Sequence, residues 1–273
     1  MRRLLVILLW VVMGVQSLSA QQSSFGVAYY DVDKLYDTIP SKFYDDGDYT
    51  PRGRLCWDGV RYRKKVEQVA AVIDSMAMPV VALFGVENEQ VVRDIVASCG
   101  EDYTYIHRTS NRYDGLDFAF LYFADCFYPE RITEWSRALC VEGEAQGRDL
   151  TIIATFRSTS LGVLLEERKL LEDSNIIIIG DTGKLKFEKL GLRDAMRSVE
   201  KAGRGNVIVR NMWQLRDRVV TNLDAPSHSD VYIKRWLLDS SGVPKPTYNG
   251  AKYCGGGSSC LPIFIYFDKL FAH

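Results

Sequence analysis

Asp181 is the first residue whose setting suggests chemistry. It follows Gly180 at the end of Ile176-Ile177-Ile178-Ile179, a run that is apolar and β-branched at every position. The run is too short for a helix and has no polar alternation, which predicts a strand buried on both faces. A carboxylate at the C-terminal edge of such a strand stands where open α/β folds commonly place reacting groups, although Gly180-Asp181 taken alone reads more simply as a turn after a core strand. A second acidic stretch, Asp31-Val32-Asp33, ends an apolar segment that begins at Phe25. Cys254 and Cys260 bracket Gly255-Gly256-Gly257-Ser258-Ser259, a short loop that could bring them together in a disulfide; a reactive thiol pair is the competing reading. Cys56, Cys99, Cys126 and Cys140 are scattered, with none of the paired CxxC spacing of a structural zinc site.

The elements that must hold these groups follow from periodicity and punctuation. Phe25 to Val32 predicts the first strand, and the run from Asp37 to Trp57 is too dense in Asp, Gly and Pro for regular structure. Its acidic residues lack the spacing and closing Glu of an EF-hand, so a solvated loop is the reading. Asp58 is a natural N-cap for a helix with Val66, Val69, Ala70, Ile73 and Met76 on one face, and Asn88 caps a second with Val91, Val92, Ile95 and Val96. Between them Val80 to Phe84 is a buried strand. Further strands are expected over Tyr103–Arg108, Asp117–Phe123, Cys126–Thr133, Arg137–Val141, Thr151–Phe156, Val207–Arg210, Leu215–Thr221, Tyr232–Leu238 and Leu261–Phe267, with a helix over Leu161–Glu172 and an amphipathic segment over Leu185–Val199. Many strands covered by few helices mean an α+β sandwich of mixed sheets.

Composition sets bounds on function. The chain has 273 residues, 47% hydrophobic and 25% charged, which is ordinary globular material. Arg2 and Arg3 precede an apolar block from Leu4 to Val15 and a small, polar stretch ending at Ala20. That order predicts a cleaved signal peptide over residues 1–20, a single domain over 21–273 and no transmembrane helix after cleavage. Loss of Arg2 and Arg3 takes the formal charge from -1 to -3. This balance argues against nucleic acid as partner, and the one basic cluster, Arg61 to Lys65 apart from Tyr62, is expected on a solvated helix face.

Several short stretches, taken in order, resemble one family. They are Tyr30-Asp31-Val32-Asp33, Thr50-Pro51 with Trp57, Val86-Glu87-Asn88, Gly115-Leu116-Asp117, Gly180-Asp181, Thr247-Tyr248 and Gly256 to Pro262. Together they look like the endonuclease/exonuclease/phosphatase superfamily, with its deoxyribonuclease-I-like fold, in an exported bacterial branch. The resemblance implies a four-layer α/β sandwich, two packed mixed β-sheets flanked by helices, and a periplasmic or extracellular location. It also implies a Mg²⁺- or Mn²⁺-dependent phosphoesterase site, in which the ion neutralises phosphoryl charge and carboxylates prepare the nucleophile.

Carried over position by position, that site is mostly missing. Asp31 stands where the family has an asparagine, Gly85 where it has the metal-holding glutamate, and Thr155 at the start of Thr155-Phe156-Arg157-Ser158 where it has a histidine. Gly183 replaces the asparagine after Asp181, Ser259 and Cys260 replace an aspartate-histidine pair, and Asp114 replaces an arginine. Asp181 is retained, with Asp217 and Tyr122 as remnants beside it, while His107 and His228 match no family histidine. The implied protein has lost phosphoesterase activity, needs no cofactor and binds an envelope protein or a small ligand. The competing expectation is an active enzyme whose Mg²⁺ or Mn²⁺ is held by Asp31, Glu87 and Asp181.

Overall fold

The computed structural model describes residues 24–271 apart from 111, 136 and 174; the expected leader lies outside the described residues. Two six-stranded sheets pack face to face. The first contains β1 (Phe25–Leu35), β2 (Val80–Val86), β3 (Thr104–Arg108), β4 (Asp117–Tyr122), β13 (His228–Val231) and β16 (Ile263–Phe267), in the order β13-β16-β1-β2-β4-β3. The second contains β5 (Tyr128–Trp135), β6 (Ala138–Ala145), β7 (Arg148–Phe156), β8 (Asn175–Asp181), β9 (Arg193–Asp194) and β12 (Arg218–Thr221), in the order β5-β6-β7-β8-β12-β9. Within each, one central pair is parallel, β1 with β2 and β7 with β8, and the remaining pairs are antiparallel. Two-stranded ribbons, β10 (Val207–Val209) with β11 (Met212–Gln214) and β14 (Tyr248–Asn249) with β15 (Lys252–Tyr253), complete the strands.

Period-two alternation assigns each side chain to a layer. Val27 and Tyr29 of β1 meet Ile177 and Ile179 of β8 in the central core. Ala28, Tyr30 and Val32 point outward, beneath α1 (Gly59–Met76) and α2 (Glu89–Ser98), which supply Val66, Val69, Ile73, Val91 and Ile95. Ile176 and Ile178 point the other way, against Leu161 and Leu165 of α3 (Leu161–Glu167) and Leu170 of α4 (Leu170–Asp173). The four isoleucines are therefore divided between two cores, and the order of layers is helix, sheet, sheet, helix. The caps form as the residue types dictate: Asp58 accepts from the amides of Val60 and Arg61, and Asn88 accepts from that of Val91.

Local physics also explains the departures from expectation. The strand expected over Tyr232–Leu238 lies earlier, at β13, because Val231 pairs with Ile263 and the next partner, Pro262, has no amide to continue the ladder. The helix expected over Leu161–Glu172 is broken at Lys169, whose φ is 53°. The amphipathic segment over Leu185–Val199 is interrupted at the left-handed Gly191 and continues as β9 and the short α5 (Arg197–Lys201). The Asp37–Trp57 loop contains one 3-10 turn, Gly47–Tyr49, and buries Asp46, whose carboxylate accepts the amide of Ser41. Lys65, expected in solvent, is buried under β1 and donates to the carbonyl of Lys34 at 2.9 Å.

The Cys254–Cys260 disulfide is corrected by the structure. All six cysteines are free thiols. The intervening glycines do not fold back on themselves: Cys254 and Gly255 donate backbone hydrogen bonds to Thr247, Gly256 donates to Pro246, and Cys260 has moved on to a bridge with Val207.

Candidate functional site

The site lies where the C-terminal ends of β1, β2, β7 and β8 converge. Phe156 is opposite Asp181 in the parallel β7–β8 ladder, and Arg218 is opposite Gly180 across β8 and β12. That register brings Arg216 and Asp217, just before β12, up to Asp181. Asp31 arrives from the other sheet, near the end of β1.

Arg216 joins these strands. Its Nη2 donates to Asp31 Oδ2 at 2.7 Å and to Asp217 Oδ2 at 3.0 Å, and its Nε donates to Asp217 Oδ1 at 2.9 Å. Asp181 Oδ2 lies 3.9 Å from the same Nε and accepts from Arg157 Nε at 2.8 Å. Asp217 is completely buried and also accepts from Asn206 Nδ2 at 2.5 Å, while Asp181 Oδ1 accepts from the Gly183 amide at 3.0 Å. A guanidinium therefore occupies the space among three carboxylates, two of which, Asp31 and Asp181, the active-enzyme expectation assigned to a divalent ion together with Glu87. Burial outweighs Arg216, and with help from Asp217 and Asp33 pushes the Asp31 carboxyl up to about 6. The Tyr29 hydroxyl, fully buried, has no hydrogen-bond partner among the described residues.

Beneath the charges lies an aromatic floor. Phe84 from β2 stacks on Phe156 from β7 with centroids 4.2 Å apart, so the floor is made jointly by both sheets. The guanidinium carbons of Arg157, Arg216 and Arg112 lie 5.5, 5.7 and 5.8 Å from the Phe156 centroid, within cation–π range. Arg112 also forms a two-point pair with Asp114, at 2.9 and 2.6 Å. An arginine thus reaches the cleft from two residues before the position where the resemblance expects one. Asp31, Asp33, Lys34, Arg112, Ser259 and Cys260 are among the residues lining a cleft of about 190 Å³.

Other sequence-predicted residues have structural duties. Gly85 has φ 94°, and a Cβ there would lie 2.1 Å from the carbonyl oxygen of Asp33, so this backbone admits no glutamate at that position. Glu87 points into the adjoining loop, where it accepts from the Asp37 amide at 2.6 Å and the Tyr44 hydroxyl at 2.8 Å; burial pushes its carboxyl up to about 7. It does not join Asp31 and Asp181. Thr155 is buried, with its hydroxyl 3.4 Å from the Arg137 carbonyl. Ser259 Oγ donates to Asp33 Oδ2 at 3.2 Å, and the Cys260 thiol, 3.8 Å from Asp31 Oδ2, is pushed well up by burial and that carboxylate. Tyr122 packs edge-on against Phe127. His107 is buried against Asp117 at 3.0 Å, and exposed His228 lies beside Phe264. Among the described residues no three His, Cys, Asp or Glu side chains form a cation cage. The carboxylates present do not fit a divalent ion while Arg216 lies between them.

A family model described as the Endonuclease/Exonuclease/phosphatase family matches residues 26–166, more than half of the chain. The chain belongs to the endonuclease/exonuclease/phosphatase family. Solved structures agree on the fold. TDP2 from Caenorhabditis elegans is 15% identical with a TM-score of 0.60, over 96% of this chain and 78% of that one. A family protein from Bacteroides thetaiotaomicron is 14% identical with a TM-score of 0.57, over 92% of this chain and 98% of its own. A mannosyl-6-phosphatase from Bacteroides thetaiotaomicron is 14% identical with a TM-score of 0.55, over 88% and 98% respectively. No curated protein matches in sequence. At such identities the likeness is one of fold, and this endonuclease/exonuclease/phosphatase chain shares its deoxyribonuclease-I-like sandwich.

The sequence reading missed Arg216 and Arg112 as site residues and quoted Arg157 only as part of a substituted motif. A signal was present for two of them, since Arg216 directly precedes Asp217 and Arg157 lies in the Thr155-Phe156-Arg157-Ser158 stretch already singled out. Nothing local marks the contact of Arg216 with Asp31, 185 residues away.

Proposed function

We propose that this protein is an exported family member in which phosphoester hydrolysis has given way to binding, with the cleft or its rim receiving an envelope protein or a small ligand. The observation that carries this reading is the Arg216 guanidinium bonded to Asp31 and Asp217 beside Asp181. An arginine supplies the positive charge these carboxylates need. It has no vacant coordination position, stays protonated at any working pH and cannot polarise a bound water as a Lewis acid does.

Magnitudes favour the same conclusion. Removing one oriented donor costs about 10² to 10³ in rate, and removing a general acid or base about 10² to 10⁴. The losses are not additive, but phosphate esters are among the slowest reactions in water and need nearly the full machinery. Thiol chemistry in its place is opposed by burial, which keeps Cys260 protonated. The leader-like composition of residues 1–20 supports export.

The test is incubation with Mg²⁺ or Mn²⁺ and a phosphodiester, a phosphomonoester and DNA. The expected result is no turnover above buffer. Turnover that disappears in Asp181→Ala would overturn the reading.

A further inference from the structure

Arg157 borders a second concavity, of about 710 Å³, formed by the β7–α3 turn, the start of α3, the loop after β8 and Arg137. Its charge is one-sided. Arg137, Arg157, Lys184 and Lys186 line it, and no Asp or Glu is among the described residues that do. Arg157 has Asp181 as an ion partner; among the described residues Arg137, Lys184 and Lys186 have none. The remaining wall is largely apolar or small: Val163, exposed on α3, Leu185, and the glycines at 162 and 183. Backbone hydrogen bonds hold the walls in place before any ligand arrives. The Phe156 amide donates to the Arg137 carbonyl at 3.0 Å, that of Arg157 to the Asp181 carbonyl at 2.7 Å, and that of Leu185 to the Thr182 carbonyl at 3.1 Å. Arg137 and Arg157 both adopt the left-handed conformation, with φ 64° and 54°, which sets the directions their long side chains leave the chain.

From this combination we infer that the groove binds one molecule of a soluble anionic amphiphile, an alkyl chain ending in a phosphate monoester. Four cations suit a dianionic head group, and Val163, Leu185 and the methylene stems of the lysines and arginines suit the chain. The volume lies within the roughly 300–1,000 Å³ range of small-molecule sites. A nucleic-acid strand is disfavoured because none of the described residues lining the groove is an aromatic on which a base could stack. The inference stands apart from the reading of the cleft, because a protein that did hydrolyse phosphate esters would present the same groove.

The experiment is calorimetric titration of the protein with dodecyl phosphate below its micellar concentration. Inorganic phosphate, dodecyltrimethylammonium and phosphatidylglycerol vesicles are run in parallel, and phosphate release is followed throughout. One-to-one binding of dodecyl phosphate is expected, with neither inorganic phosphate nor the cationic amphiphile binding comparably. Lys184→Glu/Lys186→Glu, a reversal of two exposed charges, should weaken it about tenfold or more without lowering the melting temperature. Val163→Asp, at an exposed site, should weaken it as well. Absence of binding, equal binding of the cationic amphiphile, undiminished binding by both variants, or binding to vesicles without binding to the monomer would each overturn the inference. Release of phosphate would count against the reading of the cleft and leave the groove standing.

Discussion

Arg216 makes its contacts to groups from both sheets, so its removal leaves Asp31, Asp181 and Asp217 facing one another, with Arg157 still paired to Asp181 but no ion pair left on Asp31 or Asp217 among the described residues. Breaking a buried ion pair costs about 3 to 5 kcal/mol, and because Arg216 keeps a fifth of its side chain exposed, the lower end of that range is expected for Arg216→Ala. Millimolar Mn²⁺ should then raise the melting temperature of the variant, by entering the vacated space, and leave that of the parent unchanged. A parent that responds as strongly would show that the guanidinium does not hold the place of an ion. Glu87 gives a pH test. Its folded-state carboxyl, at about 7, lies above the usual 4.5, so the folded protein retains a proton that the unfolded chain has released. The associated stability is complete below about 4.5 and is lost as pH rises through 7. The urea midpoint should therefore contain a component that falls between about pH 4.5 and 7, and Glu87→Gln should flatten it. An unchanged slope in the variant would refute the assignment.

At the scale of elements, the positive-φ bulge of β2 decides whether a metal glutamate could be restored. Gly85 lies against the carbonyl of Asp33 where the register between β1 and β2 shifts. A Cβ at 2.1 Å combined with φ 94° forces the backbone to move. Gly85→Glu is expected to lose more than about 3 kcal/mol in chemical denaturation, with no metal-dependent turnover gained. A stable variant that hydrolysed a phosphodiester with Mn²⁺ would sink this account. The same bulge helps explain Glu87: β2 ends before it, and its carboxylate serves the loop between Asp37 and Tyr44.

For the whole molecule, the division of the isoleucine strand between two cores is the feature to challenge. Ile177 faces the opposite sheet and Ile178 faces α3 and α4, each without solvent exposure. Ile177→Ala and Ile178→Ala should each cost about 2 to 5 kcal/mol, as measured by urea denaturation. A cheap Ile178→Ala would mean that the outer layer does not cover the sheet. The placement of the cleft also belongs to this scale, because Phe84 and Phe156 come from different sheets and stack only when the sandwich closes.

The amino-acid sequence by itself determined the period-two and period-3.6 segments, the caps at Asp58 and Asn88, the buried strand ending at Asp181 and, through ordered short motifs, the family. These are local properties, fixed by side-chain type and by spacing over a few residues. The tertiary structure alone decided what surrounds Asp181: an arginine shared with Asp31 and Asp217, a glycine too close to Asp33 to be replaced, and two cysteines that do not meet. Those facts depend on pairings between residues far apart in the chain, and on whether a few ångströms of backbone separation leave room for a side chain, which spacing along a sequence does not encode.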